Sequence, residues 1–186
     1  MAVRELVRSG GRSARIQMAV HDAVRTLSAG TERADLTVPQ IAAEAGVTPS
    51  TIYRRWGDLQ GLLADVAVER LRPIAEPDDT GSTRRDVELY VEQYFEEMST
   101  EVGKALLRDV LTSTSDPCNS LQCWRYTYDQ LGKIAARAAK RGEAPFDLNE
   151  VVDKVVAPVV YHILFGDRAI TAADIRKLVA GVASLK

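Results

Sequence analysis

An all-α fold in two parts is predicted by three observations. Apolar residues recur three and four apart along most of the chain, the residues between those runs are helix caps and helix stops, and no segment alternates with the period of a strand. With 186 residues, 46% of them hydrophobic, the chain has enough apolar surface for a packed core and is not expected to be disordered. No apolar run is long enough to span a bilayer.

The elements follow in order, about nine helices in all. Ile16, Ala19, Val20, Ala23, Val24 and Leu27 lie on one helical face, and Gly30 stops that helix. Thr37 and Gln40 have the spacing of a capping box, with Pro39 in the first turn and Ile41, Ala42 and Ala45 on the buried side. Gly46 stands where a left-handed residue ends a helix. Thr48 is placed to cap the next helix, and Pro49 opens it after a turn of about three residues. Gly57 and Asp58 close that helix and start another, with Leu59, Leu62, Leu63, Val66 and Ala67 on its apolar face. The stretch "RPIAEPDDTGSTRR", Arg72 to Arg85, breaks the pattern and marks the domain boundary.

Beyond it, Val87, Val91, Tyr94, Phe95 and Met98 mark a helix. Val102 to Leu111 is apolar nearly all round and predicts an enclosed helix. Leu121, Trp124, Tyr128, Leu131, Ala135 and Ala138 mark a long helix ended by Gly142 and Pro145. Leu148 to Phe165 reads as a helix kinked at Pro158, and Thr171 with Asp174 starts the last one, which carries Ile175, Leu178, Val179 and Val182.

Charge is distributed unevenly. Residues 1–56 hold eight Arg against five acids, a balance of +3, and the remainder carries −5, so one end suits an anionic partner. Arg4, Arg8 and Arg12 near the start are either a basic arm that adds phosphate affinity or an arm with no specific contact; the residues around them lack the apolar segment of a secretory signal. The two cysteines, Cys118 and Cys123, make no disulfide framework, which points to a reducing cytoplasm.

"VTPSTIYRRW", Val47 to Trp56, is dense in groups that bond phosphates and bases. Ile52 and Trp56, four apart, anchor the helix, while Thr48, Ser50, Thr51, Tyr53, Arg54 and Arg55 are left to face a groove. At "LTVPQIAAEAGVTPSTIYRRWGDLQGLLADV", Leu36 to Val66, the chain resembles the tetracycline-repressor (TetR) family. The segment Ile41-Ala42-Ala43-Glu44-Ala45-Gly46-Val47, together with Tyr53 and Leu62-Leu63, carries the match. The carboxyl-terminal "VVAPVVYHILFGDRAITAADIRKLVAGV" looks like an actinobacterial-type branch of these regulators.

The resemblance implies a cytoplasmic, homodimeric repressor. A helix-turn-helix domain over residues 1–58, with a connecting helix at 59–72, would bind a palindromic DNA operator, and residues 73–186 would bind an effector and dimerise. Carried over by position, Tyr53 and Thr37 would hold phosphates, and Thr48, Pro49, Ser50, Thr51 and Arg54 would face the groove; Arg12 and Arg55 join them as further candidate DNA contacts. Leu59 stands where the family often has a phosphate-binding lysine, and Arg12, Arg54 and Arg55 are the candidates to compensate.

For the second domain, Tyr94, Phe95, Met98, Trp124 and Tyr128 are candidate lining for an apolar or aromatic small-molecule effector, with core packing as the alternative. Val152, Val156, Val159, Ile163, Leu178 and Val182 form stripes that predict the dimer interface. No cofactor, metal site, membrane partner or enzymatic activity is expected. The competing readings are a DNA-binding protein controlled by a partner protein or by no effector and, more remotely, a Cys123–His162 hydrolase.

Overall fold

Thr37 illustrates how the sequence sets its helix ends. Its hydroxyl accepts from the backbone N–H of Gln40, whose side chain in turn accepts from the N–H of Thr37, so both exposed donors are satisfied. The computed structural model describes residues 11–30, 35–112, 118–166 and 170–185, and among these every regular element is helical.

The order is α1 Arg12–Ser28, α2 Val38–Glu44, α3 Pro49–Trp56, α4 Leu59–Arg70, α5 Thr83–Met98, α6 Glu101–Thr112, α7 Cys118–Arg141, α8 Leu148–Val151, α9 Ala157–Phe165 and α10 Ala172–Ala180. A π turn, Val152–Val156, joins α8 to α9 without a break. Pro158 is the physical reason for it. Proline has no N–H for the carbonyl four residues earlier, and a widened turn relieves both the missing bond and the ring clash.

The residues divide into two compact units, Met1–Glu69 with Asp109–Asn119, and Arg70–Arg108 with Ser120–Lys186. In the first, Val20 and Val24 of α1, Ile41 of α2, Ile52 and Trp56 of α3, and Leu62 and Val66 of α4 form one core. Gly46 (φ 65°) makes the α2–α3 turn possible, and the Asp58 carboxylate accepts from the N–H of Gly61 to start α4. Thr48 departs from expectation. Its hydroxyl caps no backbone N–H and instead bonds the hydroxyls of Ser50 (2.9 Å) and Thr51 (3.0 Å).

The second unit has its own core, built from Val87, Val91 and Met98 of α5, Leu131 and Ile134 of α7, the helix running from α8 through α9, and Ile175 and Val179 of α10. The segment read as a domain boundary is strapped along α7. Gln130, Lys133, Arg137 and Arg141 successively bond Ala75, Glu76, Pro77 with Asp78, and Asp79. Fully buried Asp86 completes the strap, accepting from the Thr80 N–H and hydroxyl and from Arg141.

The turn between α5 and α6 takes only Ser99 and Thr100. The Thr100 hydroxyl donates to the carbonyl of Glu97 and accepts from the N–H of Gly103, which draws the first turn of α6 onto the end of α5. The predicted enclosure of α6 is not found, because Val102 and Leu111 are exposed in the single chain. Lys104, Arg108 and Asp109 interrupt the apolar surface of this helix, so only part of it, including Leu107, packs inward.

Candidate nucleic-acid interface

The reading head is held from below by two side chains. Ile52 is fully buried and Trp56 nearly so, and their spacing of four turns the rest of α3 outward. On that outer side Tyr53 is 49% exposed, and Arg54 makes no hydrogen bond or ion pair within the described residues. The start of α3 carries the linked hydroxyls of Thr48, Ser50 and Thr51 beside Pro49. An exposed helix amino terminus with hydroxyls suits an anion, and a free guanidinium suits a base edge or a phosphate.

Arg55 is placed differently from Arg54. One terminal nitrogen donates to the carbonyl and hydroxyl of Ser13, both at 2.9 Å, and the other donates to Gln17 Oε1 at 2.5 Å. Its guanidinium also lies 5.1 Å from the centre of the Trp56 ring. Arg55 therefore ties α3 to α1. Thr37 is exposed, with its hydroxyl engaged in the cap, and Arg12 is exposed at the first position of α1. Arg4 and Arg8 lie outside the described residues. Leu59, in the position expected of lysine, packs against the core.

Beneath this surface is a polar group that the sequence reading missed. Asp65 of α4 accepts from Trp56 Nε1 (2.6 Å), His21 Nε2 (2.9 Å) and Gln17 Nε2 (3.3 Å), all on one oxygen. Burial pushes its carboxyl pKa up, but the His21 and Trp56 hydrogen bonds and the nearby charges of His21 and Arg55 outweigh burial and leave it lowered. The stability this gives is therefore present at neutral pH and is lost as pH falls through the lowered value. A signal was available in the sequence, since Asp65 interrupts the otherwise buried run Leu62–Val68.

In the second unit, Met98 is buried, and Tyr94 and Phe95 pack partly buried against the core. Trp124 does not join them. It is 50% exposed and stacks on Tyr128 at 4.1 Å, and the Tyr128 hydroxyl donates to Asn149. The residues that α5 and α7 do bring together are Tyr90, close to Thr127, and Tyr94, near Tyr90 and Cys123. Burial raises the pKa values of both phenols and pushes that of the Cys123 thiol up to about 11. A thiol so raised is protonated at neutral pH and lends the Cys123–His162 hydrolase reading no support. The Cys118 side chain lies outside the described residues, and no metal-binding group of His, Cys, Asp and Glu occurs among those described.

Most of the predicted dimer stripe is taken up inside the single chain. Val156, Val159, Ile163 and Val182 are buried in the core of their own chain, and Val152 and Leu178 pack against it. A 3–4 spacing marks a buried face without saying what buries it. The helix is apolar on two faces, and the one left outward carries Tyr161 and Phe165, 62% and 70% exposed. His162 beside them has a buried Nδ1 with no hydrogen-bond partner among the described residues.

Residues 33–66 match the model of the bacterial regulatory proteins of the tetR family, and residues 77–182 match the tetracyclin repressor-like C-terminal domain. The HTH-type transcriptional regulator AqdR of Rhodococcus erythropolis is 30% identical over 137 residues, covering 71% of this chain and 65% of that protein. An uncharacterized HTH-type transcriptional regulator of Mycobacterium tuberculosis is 38% identical over 52 residues, 28% of this chain and 26% of that one. The chain thus spans a little under two thirds of the first relative and about a quarter of the second. A solved TetR family transcription regulator from Marinobacter aquaeolei VT8 shares the fold, with a TM-score of 0.51 at 17% identity over 91% of this chain and 94% of that one. With both halves of the family pattern matched in order along it, the chain belongs to the TetR family of helix-turn-helix, DNA-binding transcription regulators.

Proposed function

We propose that this regulator is a cytoplasmic repressor that binds a palindromic operator as a homodimer and is released by a small-molecule effector. Residues 1–58, continued by the connecting helix, carry the DNA-binding role in this reading, and residues 73–186 carry effector binding and dimerisation. The observation that supports it most is the contrast along α3. Ile52 and Trp56 are buried, while Tyr53 and Arg54 beside them are exposed and unengaged. In this reading Arg54 contacts base edges, and Tyr53 with the hydroxyls of Thr48, Ser50 and Thr51 contacts the phosphate backbone. Arg55 holds the helix in place.

The dimer is assigned to the outward face of α9, where Tyr161 and Phe165 lie beside the unpartnered Nδ1 of His162. The effector is assigned to the facing surfaces of α5 and α7, where Tyr90, Tyr94, Thr127 and Cys123 gather few polar groups in apolar surroundings. An apolar or aromatic molecule with one hydroxyl or carbonyl fits that chemistry. To act, it must bind the released state more tightly than the operator-bound state.

Selection of duplexes from a random pool tests the DNA reading. The wild-type chain is expected to enrich a palindrome. Arg54→Ala should weaken binding to that palindrome by about 1–3 kcal/mol and relax preference at one position per half-site, and Tyr53→Phe should weaken binding evenly across sequences. Enrichment of no sequence, or wild-type binding by the folded double variant, would overturn the reading.

A further inference from the structure

We infer that Asp65 is a positioning residue for DNA recognition, a carboxylate that fixes the rotation of α3 about its own axis. The inference rests on the reading of α3 as the element that meets DNA.

Helix α3 has only eight residues, and its amino-terminal side chain caps no backbone N–H. A two-turn helix has little stability of its own, so its orientation is set by what ties it to its neighbours. Burial of Ile52 and Trp56 supplies part of that tie, but apolar contact is non-directional and leaves the helix free to roll by a small angle. Hydrogen bonds are directional. The Trp56 indole has a single N–H, and its bond to Asp65 at 2.6 Å fixes the plane of the ring at the last residue of α3. The preceding residue is tied to the same carboxylate through one intermediary. Gln17 donates to Asp65 and accepts from Arg55.

Two consecutive residues of α3 are therefore referred to one oxygen atom on α4, and the direction of their neighbour Arg54 follows from them. His21, 2% exposed, bonds the same oxygen at 2.9 Å, and its Nδ1 lies 3.9 Å from Glu69 one turn further along α4. The cluster thus links α1, α3 and α4 within the first unit. Placing a carboxylate among buried residues is not needed for stability, since a well-packed apolar side chain serves as well or better. What the carboxylate adds is a defined direction for three N–H groups on two other helices.

The test is a double-mutant cycle on the full-length chain with the selected palindrome as probe. Asp65→Asn is expected to lower affinity about tenfold while helicity is retained, and to shift the Trp56 indole N–H resonance, with Trp124 as the internal reference. Trp56→Phe, which keeps a ring and removes the N–H, should lower affinity in the same direction, and the double variant should be no weaker than Asp65→Asn alone. Leu62→Ala, a buried α4 residue without polar contacts, controls for loss of stability. Additive losses in the cycle, or an Asp65→Asn effect no larger than that of an equally destabilised Leu62→Ala protein, would overturn the inference. Arg54→Ala is measured alongside. If it weakens binding and Asp65→Asn does not, the positioning role alone is wrong. If Arg54→Ala has no effect, the reading of α3 fails and the inference fails with it.

Discussion

Val159→Asp will unfold the second unit instead of separating two otherwise intact subunits. Val159 has no exposed surface and lies in a cluster with Val87, Val91, Leu131, Val155 and Ile163. A carboxylate placed there loses its hydration, and the members of that cluster offer it no hydrogen bond. Changes of this kind belong to the small group that cost about 4–5 kcal/mol or more, comparable to the whole stability of many domains. Phe165→Asp gives the opposite outcome. An exposed position tolerates the charge to within about 0.5 kcal/mol of fold stability, while a charge at the proposed contact opposes dimerisation. Circular dichroism with heating separates the two effects, and sedimentation reads the second. A folded, monomeric Val159→Asp protein would show that the stripe serves the dimer after all.

Gly103→Ala is the second substitution expected to have a large effect, and its sign runs against helix propensity. In an unobstructed helix the change to alanine is favourable by about 1 kcal/mol. Here an added Cβ would stand 2.4 Å from the carbonyl oxygen of Glu97 and 2.6 Å from the Cα of Met98. Both atoms are backbone, held by the Thr100 hydrogen bonds of a two-residue turn, and neither can swing aside as a flexible side chain would. Overpacking against a rigid neighbour costs typically 1–3 kcal/mol, so the clash outweighs the gain. A lower unfolding midpoint in denaturant is expected, and a higher one would mean that the turn opens without cost.

Those two residues show where the sequence could be read and where it could not. The cap at Thr37–Gln40, the left-handed Gly46 and the anchor pair Ile52 and Trp56 are local features, each written within a few residues, and the structure reproduces them. The capping box at Thr171–Asp174 was legible for the same reason. In the sequence Gly103 is one more small residue within Val102–Leu111, because its role depends on a backbone approach that no sequence window displays. That Val159 is buried within its own chain was not legible, because periodicity reports burial and not the partner that supplies it. Asp65 was missed because its donors come from two other helices, at separations of up to 48 residues.

The internal bonds of Arg55 have a consequence for the thermodynamics of association. Binding to duplex DNA releases the cations condensed on each phosphate that a protein charge replaces, at about 0.9 ion per contact. A guanidinium already bonded to Ser13 and Gln17 before DNA arrives, and still bonded to them afterwards, replaces none. Removing it should lower affinity by letting α3 shift, yet leave the slope of log affinity against log salt where it was. Removing Arg12, which stands exposed at the start of α1, should flatten that slope by roughly 2 for a dimer if each copy meets one phosphate. The two arginines thus separate enthalpic alignment from the entropy of released ions, and a salt titration distinguishes them without knowledge of the operator's sequence.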